Sequence, residues 1–248
     1  MIELLLIVPH PDDEVFGCGG LFAKMAADGR KVATLTLTKG GAGLTLELCS
    51  REEIEVFREA ELRASLDTLG VKDIFIWDYP DYVPDDKRGM DLRPGLSGIN
   101  QEKIVSEIVE LLDRLEPITI LTFPPNGSNG HPDHVMTNKF VLSAISKAKH
   151  KVQKLYYFSS SEPYSRLSRA GFLSAEEIIE QQLYPSHYIE LDVDGLEQKL
   201  AAMAEHKTQA LSVLSFMRLR ASRLHLESFY RALPEPKKDE EPKTVMWL

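Results

Sequence analysis

The sequence has few cysteines, no long apolar run and no excess of positive charge, and each absence disfavours a class of protein. Cys18 and Cys49 could form one disulfide, but so low a count without a secretion signal favours two reduced thiols. No segment approaches the length of a membrane span, and the N-terminus lacks the basic residues of a signal peptide. The chain is therefore expected in the cytoplasm. A net charge of −9 has the wrong sign for neutralising phosphates, so nucleic acid is not an expected partner.

The chain does contain a regular alternation of apolar and amphipathic segments. Strands buried on both faces are predicted at residues 2–8, 31–38, 73–79, 118–123 and 151–158. Helical spacing fills the intervals, at about 18–28, 51–69, 100–115 and 132–148. Such alternation predicts one α/β domain with a Rossmann-like, mostly parallel sheet and helices on both faces.

After residue 160 the pattern loosens. A short strand is predicted at 187–193, followed by helices at about 195–210 and 213–232 that cover an edge of the sheet. We expect the domain to occupy residues 1–233. The remaining 234–248 form a charged, proline-bearing tail that is expected to be solvated, although its final "VMWL" is apolar enough to dock.

Three loops rich in acids or histidine follow predicted strands. "VPHPDDEVFGCGG" (8–20) ends the first strand, "DYPDY" (78–82) follows the third, and "GHPDH" (130–134) follows the fourth. Ligands of open parallel sheets sit outside the carboxyl ends of the strands, so these loops are expected to converge on one crevice.

The residue types in these loops are those of a metal site. His10 and Asp13, with one histidine of "GHPDH", supply the three protein ligands typical of a catalytic zinc. A carboxylate beside the metal can take a proton from bound water, and the remaining histidine can act as an acid or as an electrostatic partner. The set therefore predicts metal-assisted hydrolysis.

Purely structural explanations exist for the same motifs. Asp12 or Asp13 could cap a helix, and "HPDH" suits a first helical turn. "GCGG" (17–20) could be a phosphate-binding turn, but it lacks the dinucleotide spacing and follows acidic residues. Two motifs at one edge of one sheet favour the metal site, and the glycines are then expected to let the first helix pack closely on the sheet.

Together these motifs resemble the LmbE/PIG-L family of zinc-dependent N-deacetylases, over most of the chain. "PHPDDEVFGCGG" and "GHPDH" resemble the family's two metal motifs and are highly specific as a pair. "REAELRASLDTLGV" (58–71) resembles its Arg-Glu helix, and "WDYPDY" follows where the family carries an aspartate. "KLAAMAEHKTQ" (199–209) resembles its His-x-Ser-Gln helix, with threonine in place of serine.

The resemblance implies roles for the motif residues. The implied ligands of Zn²⁺ are His10, Asp13 and His134. Asp12 is implied to be the general base, and His131, oriented by Asp133, to be an acid or a stabiliser of the transition state. Fe²⁺ or another divalent ion also suits the ligand set, because His and Asp do not select strictly for zinc. Glu14 is expected not to bind the metal itself but to contact the residues that do.

The expected substrate contacts are Arg58, Asp81, Asn129 and His206. Three of them also have a purely structural explanation, and other residues could take the role of the fourth. Arg58 could instead pair with Glu55 or Glu61 along a helix, Asp81 could be a turn residue, and His206 could be a packing residue.

Asn129 marks a departure from the family pattern. It stands where some members carry a tyrosine that helps to stabilise the oxyanion. Its amide could donate the same hydrogen bond, or Tyr184 or Tyr188 could supply it.

The resemblance thus implies hydrolysis of the N-acetyl group of a small N-acetylglucosamine-type conjugate, such as a thiol precursor, to acetate and a free amine. One alternative is an amidase that acts on a related aminosugar or thiol conjugate. The other is a non-catalytic protein that binds a sugar or a nucleotide. Family members often assemble into trimers or hexamers, so the resemblance also allows a homo-oligomer.

Overall fold

The computed structural model describes residues 1–84, 93–160, 173–237 and 239–248. The strands are β1 Leu4–Val8, β2 Val32–Thr38, β3 Asp73–Tyr79, β4 Tyr82–Val83, β5 Arg93–Pro94, β6 Thr119–Thr122, β7 Lys154–Phe158, β8 His187–Glu190, β9 Leu226–Leu233 and β10 Lys243–Thr244. The helices are α1 Asp13–Ala27, α2 Ile54–Thr68, α3 Gln101–Leu115, α4 Gly127–Gly130, α5 Pro132–Lys147, α6 Ala175–Glu180, α7 Val193–Glu205 and α8 Ala210–Leu219. None of the helices in these ranges is long and apolar enough to cross a membrane.

One sheet of eight strands organises the domain, in the order β10-β8-β9-β7-β6-β1-β2-β3. All neighbours in it are parallel except β9, which is antiparallel to both β7 and β8. Side chains of β1 alternate between two apolar cores, because successive residues of a strand point to opposite faces. Helices α1, α2 and α7 cover one face, and α3 and α5 cover the other. The expected α/β architecture is confirmed.

The five predicted parallel strands are present, but β3 is not buried on both faces. Most of its residues are half-exposed, because β3 ends the strand order and pairs with β2. Helix α1 begins at Asp13, earlier than the expected 18, so the acids of the first motif already lie in its first turn.

The predicted helix at 213–232 is wrong in its second half. Helix α8 ends at Leu219, and residues 226–233 form β9. This segment lies between β7 and β8 and pairs with both, so its conformation is decided by two neighbouring strands rather than by local spacing.

The end of the 234–248 segment docks on the domain. Lys243–Thr244 pairs with β8, Leu248 is buried, and Arg30 lies 4.0 Å from the centre of the Trp247 ring.

The glycines of the first motif allow close packing, as expected. A β-carbon at Gly17 would lie 2.5 Å from the ring of Phe158 at the end of β7, and one at Gly20 would overlap Leu191. Gly19 is less crowded, with its nearest contact at 3.4 Å from Lys199 of α7. Close approach of α1 to the sheet thus depends on two of the three glycines.

Gly20→Ala should lower the free energy of unfolding by about 1–3 kcal/mol, because the added methyl group overpacks against Leu191. Gly19→Ala is the matched control in the same helix. It should be neutral or stabilising by up to about 1 kcal/mol, since alanine favours helix over glycine. Urea denaturation of both variants measures the difference, and equal stabilities would contradict the packing role of Gly20.

Candidate active site

The turn between β1 and α1 carries the residues of the first motif. The Oδ2 atom of Asp13 accepts the backbone N–H of His10 at 2.9 Å and so closes the turn. Asp12 has φ 119° and ψ −22°, a left-handed conformation that is unfavourable for a residue other than glycine. Such a conformation persists only where the surrounding structure enforces it.

Glu14 lies behind this turn, as expected, and is fully buried. Its Oε2 accepts the backbone N–H of Asp12 at 2.9 Å. Its Oε1 lies 2.8 Å from Ser65 Oγ and 2.6 Å from His206 Nε2. His206 is itself fully buried, and its Nε2 contacts Glu14; its predicted contact with the substrate stays a prediction.

The second motif lies at the start of α5. The backbone N–H of Asp133 donates to Nδ1 of His131 at 3.2 Å, which caps the helix. Nδ1 of His134 lies 3.1 Å from the carbonyl oxygen of Gly127. A carbonyl only accepts, so this nitrogen carries the proton and Nε2 of His134 keeps its lone pair for a ligand. That Nε2 lies 3.6 Å from Asp13 Oδ1.

The loops converge as the sequence predicts. His10 Nδ1 lies 3.5 Å from Asp13 Oδ2, while His10 Nε2 lies 3.1 Å from Asp81 Oδ1 and 3.3 Å from Asp133 Oδ2. Among the described residues, two trios hold donor atoms within 4.8 Å of one another: His10 with His131 and His134, and His10 with Asp81 and Asp133. Of the predicted ligands, His10 and His134 belong to the first trio. Asp13 belongs to neither trio, but its oxygens lie 3.5 Å from His10 Nδ1 and 3.6 Å from His134 Nε2, and the ligand set stays a prediction.

The charge of the cluster suits a divalent cation. Burial alone would lower the pKa of His10, but Asp81 and the hydrogen bonds with Asp13 and Asp133 raise it well above its usual value. The site thus concentrates buried carboxylates around imidazoles, and this is the donor set of zinc and related ions.

The pKa values of the other two imidazoles of the cluster, those of His131 and His134, lie below the usual value for histidine. Burial, with the charge of His10 adding to it, lowers the pKa of His134 to about 4. Burial and then the charges of His10 and His134 lower the pKa of His131 to about 2. Neutral imidazole is the form that binds metals or donates a single hydrogen bond.

Asp12 differs from its neighbour Asp13. Burial raises the pKa of Asp12 to about 7 against the opposing charge of Arg58, whose Nη2 lies 3.3 Å from Asp12 Oδ2. Burial also acts on Asp13, but the charges of His134 and His10 lower its pKa overall. Asp12 is thus suited to hold a proton, and Asp13 is suited to remain ionised.

Arg58 is buried in the site and is not an exposed member of a helical ion pair. Its guanidinium donates to the carbonyl oxygens of Gly40, at 2.9 Å, and of Pro11. Asp81 is also buried and accepts the N–H of Ala42 at 2.8 Å. Burial raises the pKa of Asp81, but the charge and hydrogen bond of His10 lower it overall.

The residues predicted as candidates for stabilising the oxyanion lie in different parts of the fold. Asn129 accepts the N–H of His131 through Oδ1 at 3.1 Å, Tyr184 is exposed, and Tyr188 lies in β8. Sequence reasoning missed Tyr82, whose ring centre lies 5.8 Å from that of His131. It also gave no role to Ser65. The only signal for Tyr82 was its place in "DYPDY", beside Asp81.

Comparison with known proteins gives a consistent picture. The sequence model of the PIG-L family, described as GlcNAc-PI de-N-acetylase, matches residues 5–145. A protein of Mycobacterium sp. (strain KMS), named 1D-myo-inositol 2-acetamido-2-deoxy-alpha-D-glucopyranoside deacetylase, is 29% identical over 240 residues, which cover 84% of this chain and 74% of that protein.

Two solved structures share the fold. The N,N'-diacetylchitobiose deacetylase of Pyrococcus horikoshii superposes with a TM-score of 0.67 at 20% identity, over 96% of this chain and 88% of that one. GalB, the 4-carboxy-2-hydroxymuconate hydratase of Pseudomonas putida KT2440, superposes with a TM-score of 0.65 at 17% identity, over 96% and 99% of the two chains. Since a hydratase shares the fold, the fold alone does not decide the reaction.

Asp133→Asn should lower the free energy of unfolding by about 1–3 kcal/mol, because a buried backbone donor loses its acceptor. The carboxylate accepts two backbone N–H groups, from Tyr82 at 2.9 Å and Leu96 at 2.7 Å, and an amide offers one oxygen. Asp113→Asn is the control, since Asp113 accepts the single N–H of His150 at 2.8 Å. Urea denaturation should show a clearly larger loss for Asp133→Asn, and equal losses would contradict the double role of this carboxylate.

Proposed function

This chain belongs to the PIG-L family, and from that premise we propose that it hydrolyses the N-acetyl group of an N-acetylglucosamine conjugate, releasing acetate and a free amine. The observation that most supports this proposal is the position of Asp12. Its buried carboxylate lies beside a cluster of histidines and aspartates at the carboxyl ends of the strands. The name of the mycobacterial relative supports a conjugate of N-acetylglucosamine with a small polyol such as inositol.

The proposed metal ligands are His10, Asp13 and His134, for Zn²⁺ or another divalent ion such as Fe²⁺. The donor set supports this proposal, because Nε2 of His134 is left as an acceptor and faces Asp13. These residues would hold a divalent cation, which when bound would supply Lewis-acid chemistry to an amide carbonyl and to water.

Asp12 is proposed to be the general base. Its carboxylate accepts a proton from the attacking water and returns it to the nitrogen of the departing amine. Arg58 holds this carboxylate and the carbonyl oxygen of the preceding Pro11, so we assign Arg58 to the orientation of the base.

His131 is proposed to stabilise the transition state. Because its Nδ1 receives the N–H of Asp133, the proton of the neutral ring lies on Nε2. This N–H can donate to the oxygen of the scissile carbonyl as negative charge develops there. Asp81 and Asn129 are the proposed contacts for the hydroxyl groups of the sugar.

A panel of amides tests the proposal. N-acetylglucosaminyl-inositol, diacetylchitobiose and N-acetylglucosaminyl-malate are compared with the same conjugates that carry bulkier acyl groups, by detecting the new amine. We expect an N-acetyl conjugate to be preferred, activity to disappear after chelation, and Zn²⁺ or Fe²⁺ to restore it. Preference for a bulkier acyl group would favour the amidase alternative, and full activity without metal would contradict the mechanism.

Asp12→Asn should lower kcat by about 10²–10⁴-fold, since the amide cannot accept the proton of water. The bound metal should be retained, because Asp12 is not a proposed ligand. Asp28→Asn, at the exposed end of α1, is the control and should leave kcat unchanged. Steady-state kinetics and metal analysis check both variants, and a fully active Asp12→Asn would exclude Asp12 as the base.

A further inference from the structure

The backbone of Asp12 needs external support. Its φ of 119° is unfavourable for a residue with a β-carbon, and this geometry sets the direction of the carboxylate. Arg58 contacts the carboxylate end of the side chain. The backbone N–H is held from the other side by Glu14 Oε2 at 2.9 Å.

Glu14 is in turn fixed by two donors from distant parts of the chain. Ser65 of α2 lies 2.8 Å from Oε1, and His206, at the end of α7, lies 2.6 Å from the same oxygen. All three residues are fully buried. We call Glu14, Ser65 and His206 the buried triad.

The segment that carries His206 is itself anchored. Thr208 donates to the carboxylate of Glu61 through its N–H at 2.8 Å and its hydroxyl group at 2.6 Å. Gln209 donates to the carbonyl oxygen of Leu44 at 3.0 Å. His206 is therefore presented to Glu14 from a segment tied to α2 and to the loop after β2.

We propose that His206 is a positioning residue for catalysis: through Glu14 it holds the Asp12 backbone in the conformation that directs the carboxylate into the site. The inference rests on the proposed function, in which Asp12 is the base. It gives His206 a role that needs no contact with the substrate or the metal.

The test compares His206→Asn with His206→Gln. The amide of glutamine reaches the position of the histidine Nε2 and can still donate to Glu14, whereas the shorter amide of asparagine cannot. His206→Asn should lower kcat by roughly 10–100-fold with little change in KM, because the base is misdirected while binding is preserved. His206→Gln should recover most of that loss. Chelator competition should show unchanged zinc affinity in both variants.

Amide hydrogen exchange of Asp12, followed by NMR, gives a readout that does not depend on activity. Exchange should be faster in His206→Asn than in the wild-type protein, and close to wild type in His206→Gln. His187→Asn is the matched control: His187 is a buried histidine that contacts Ser186 and begins β8, which is separated from β1 in the sheet by β9, β7 and β6. It should leave kcat and the exchange of Asp12 unchanged.

Wild-type kcat in His206→Asn, or unchanged exchange of Asp12, would overturn the inference. If His206→Asn does not fold, Ser65→Ala removes the other donor to the same oxygen and should shift both readouts in the same direction, by less; no shift would also overturn it. If the wild-type protein releases acetate from no conjugate, the proposed function fails, and the exchange of Asp12 alone decides whether the triad holds the turn.

Discussion

Buried carboxylates must have partners, and much of this fold supplies them to the acids of the turn after β1. Asp13 closes the turn through the N–H of His10 and faces His134. Asp12 is held at its side chain by Arg58 and at its backbone by Glu14. Without these partners, the desolvation of adjacent acids would oppose folding. The site and the stability of the fold thus depend on the same contacts.

Adjacent acids acquire different properties because their neighbours differ. Histidines beside Asp13 lower its pKa, while burial raises that of Asp12 even against the charge of Arg58. One acid is thereby suited to hold a cation and the other to exchange a proton, although they are consecutive in sequence. Asp12 has the left-handed backbone conformation, and the two carboxylates have separate partners: Arg58 for Asp12 and His134 for Asp13.

A second buried acid, Glu227, joins α1 to strand β9 of the sheet. Glu227 of β9 accepts the N–H groups of Gly20 and Leu21, at 2.9 and 2.8 Å, and lies 2.7 Å from Nζ of Lys199. Strand β9, which lies where the sequence predicted the second half of a helix, therefore holds the middle of α1 in place. Its pairing with β7 and β8 joins residues that are 36 to 78 positions apart in the sequence, and local periodicity does not report such pairs.

By itself the sequence determined the parallel strands, the mostly parallel main sheet and the convergence of the two histidine motifs, because hydrophobic periodicity and chain order fix which loops meet at one edge. The tertiary structure decided which atoms face each other there. It turned Arg58 inward to Asp12, buried His206 behind Glu14 and brought Tyr82 beside His131. Such pairings depend on side-chain direction and on the burial of each charge, and both arise only once distant segments have packed together.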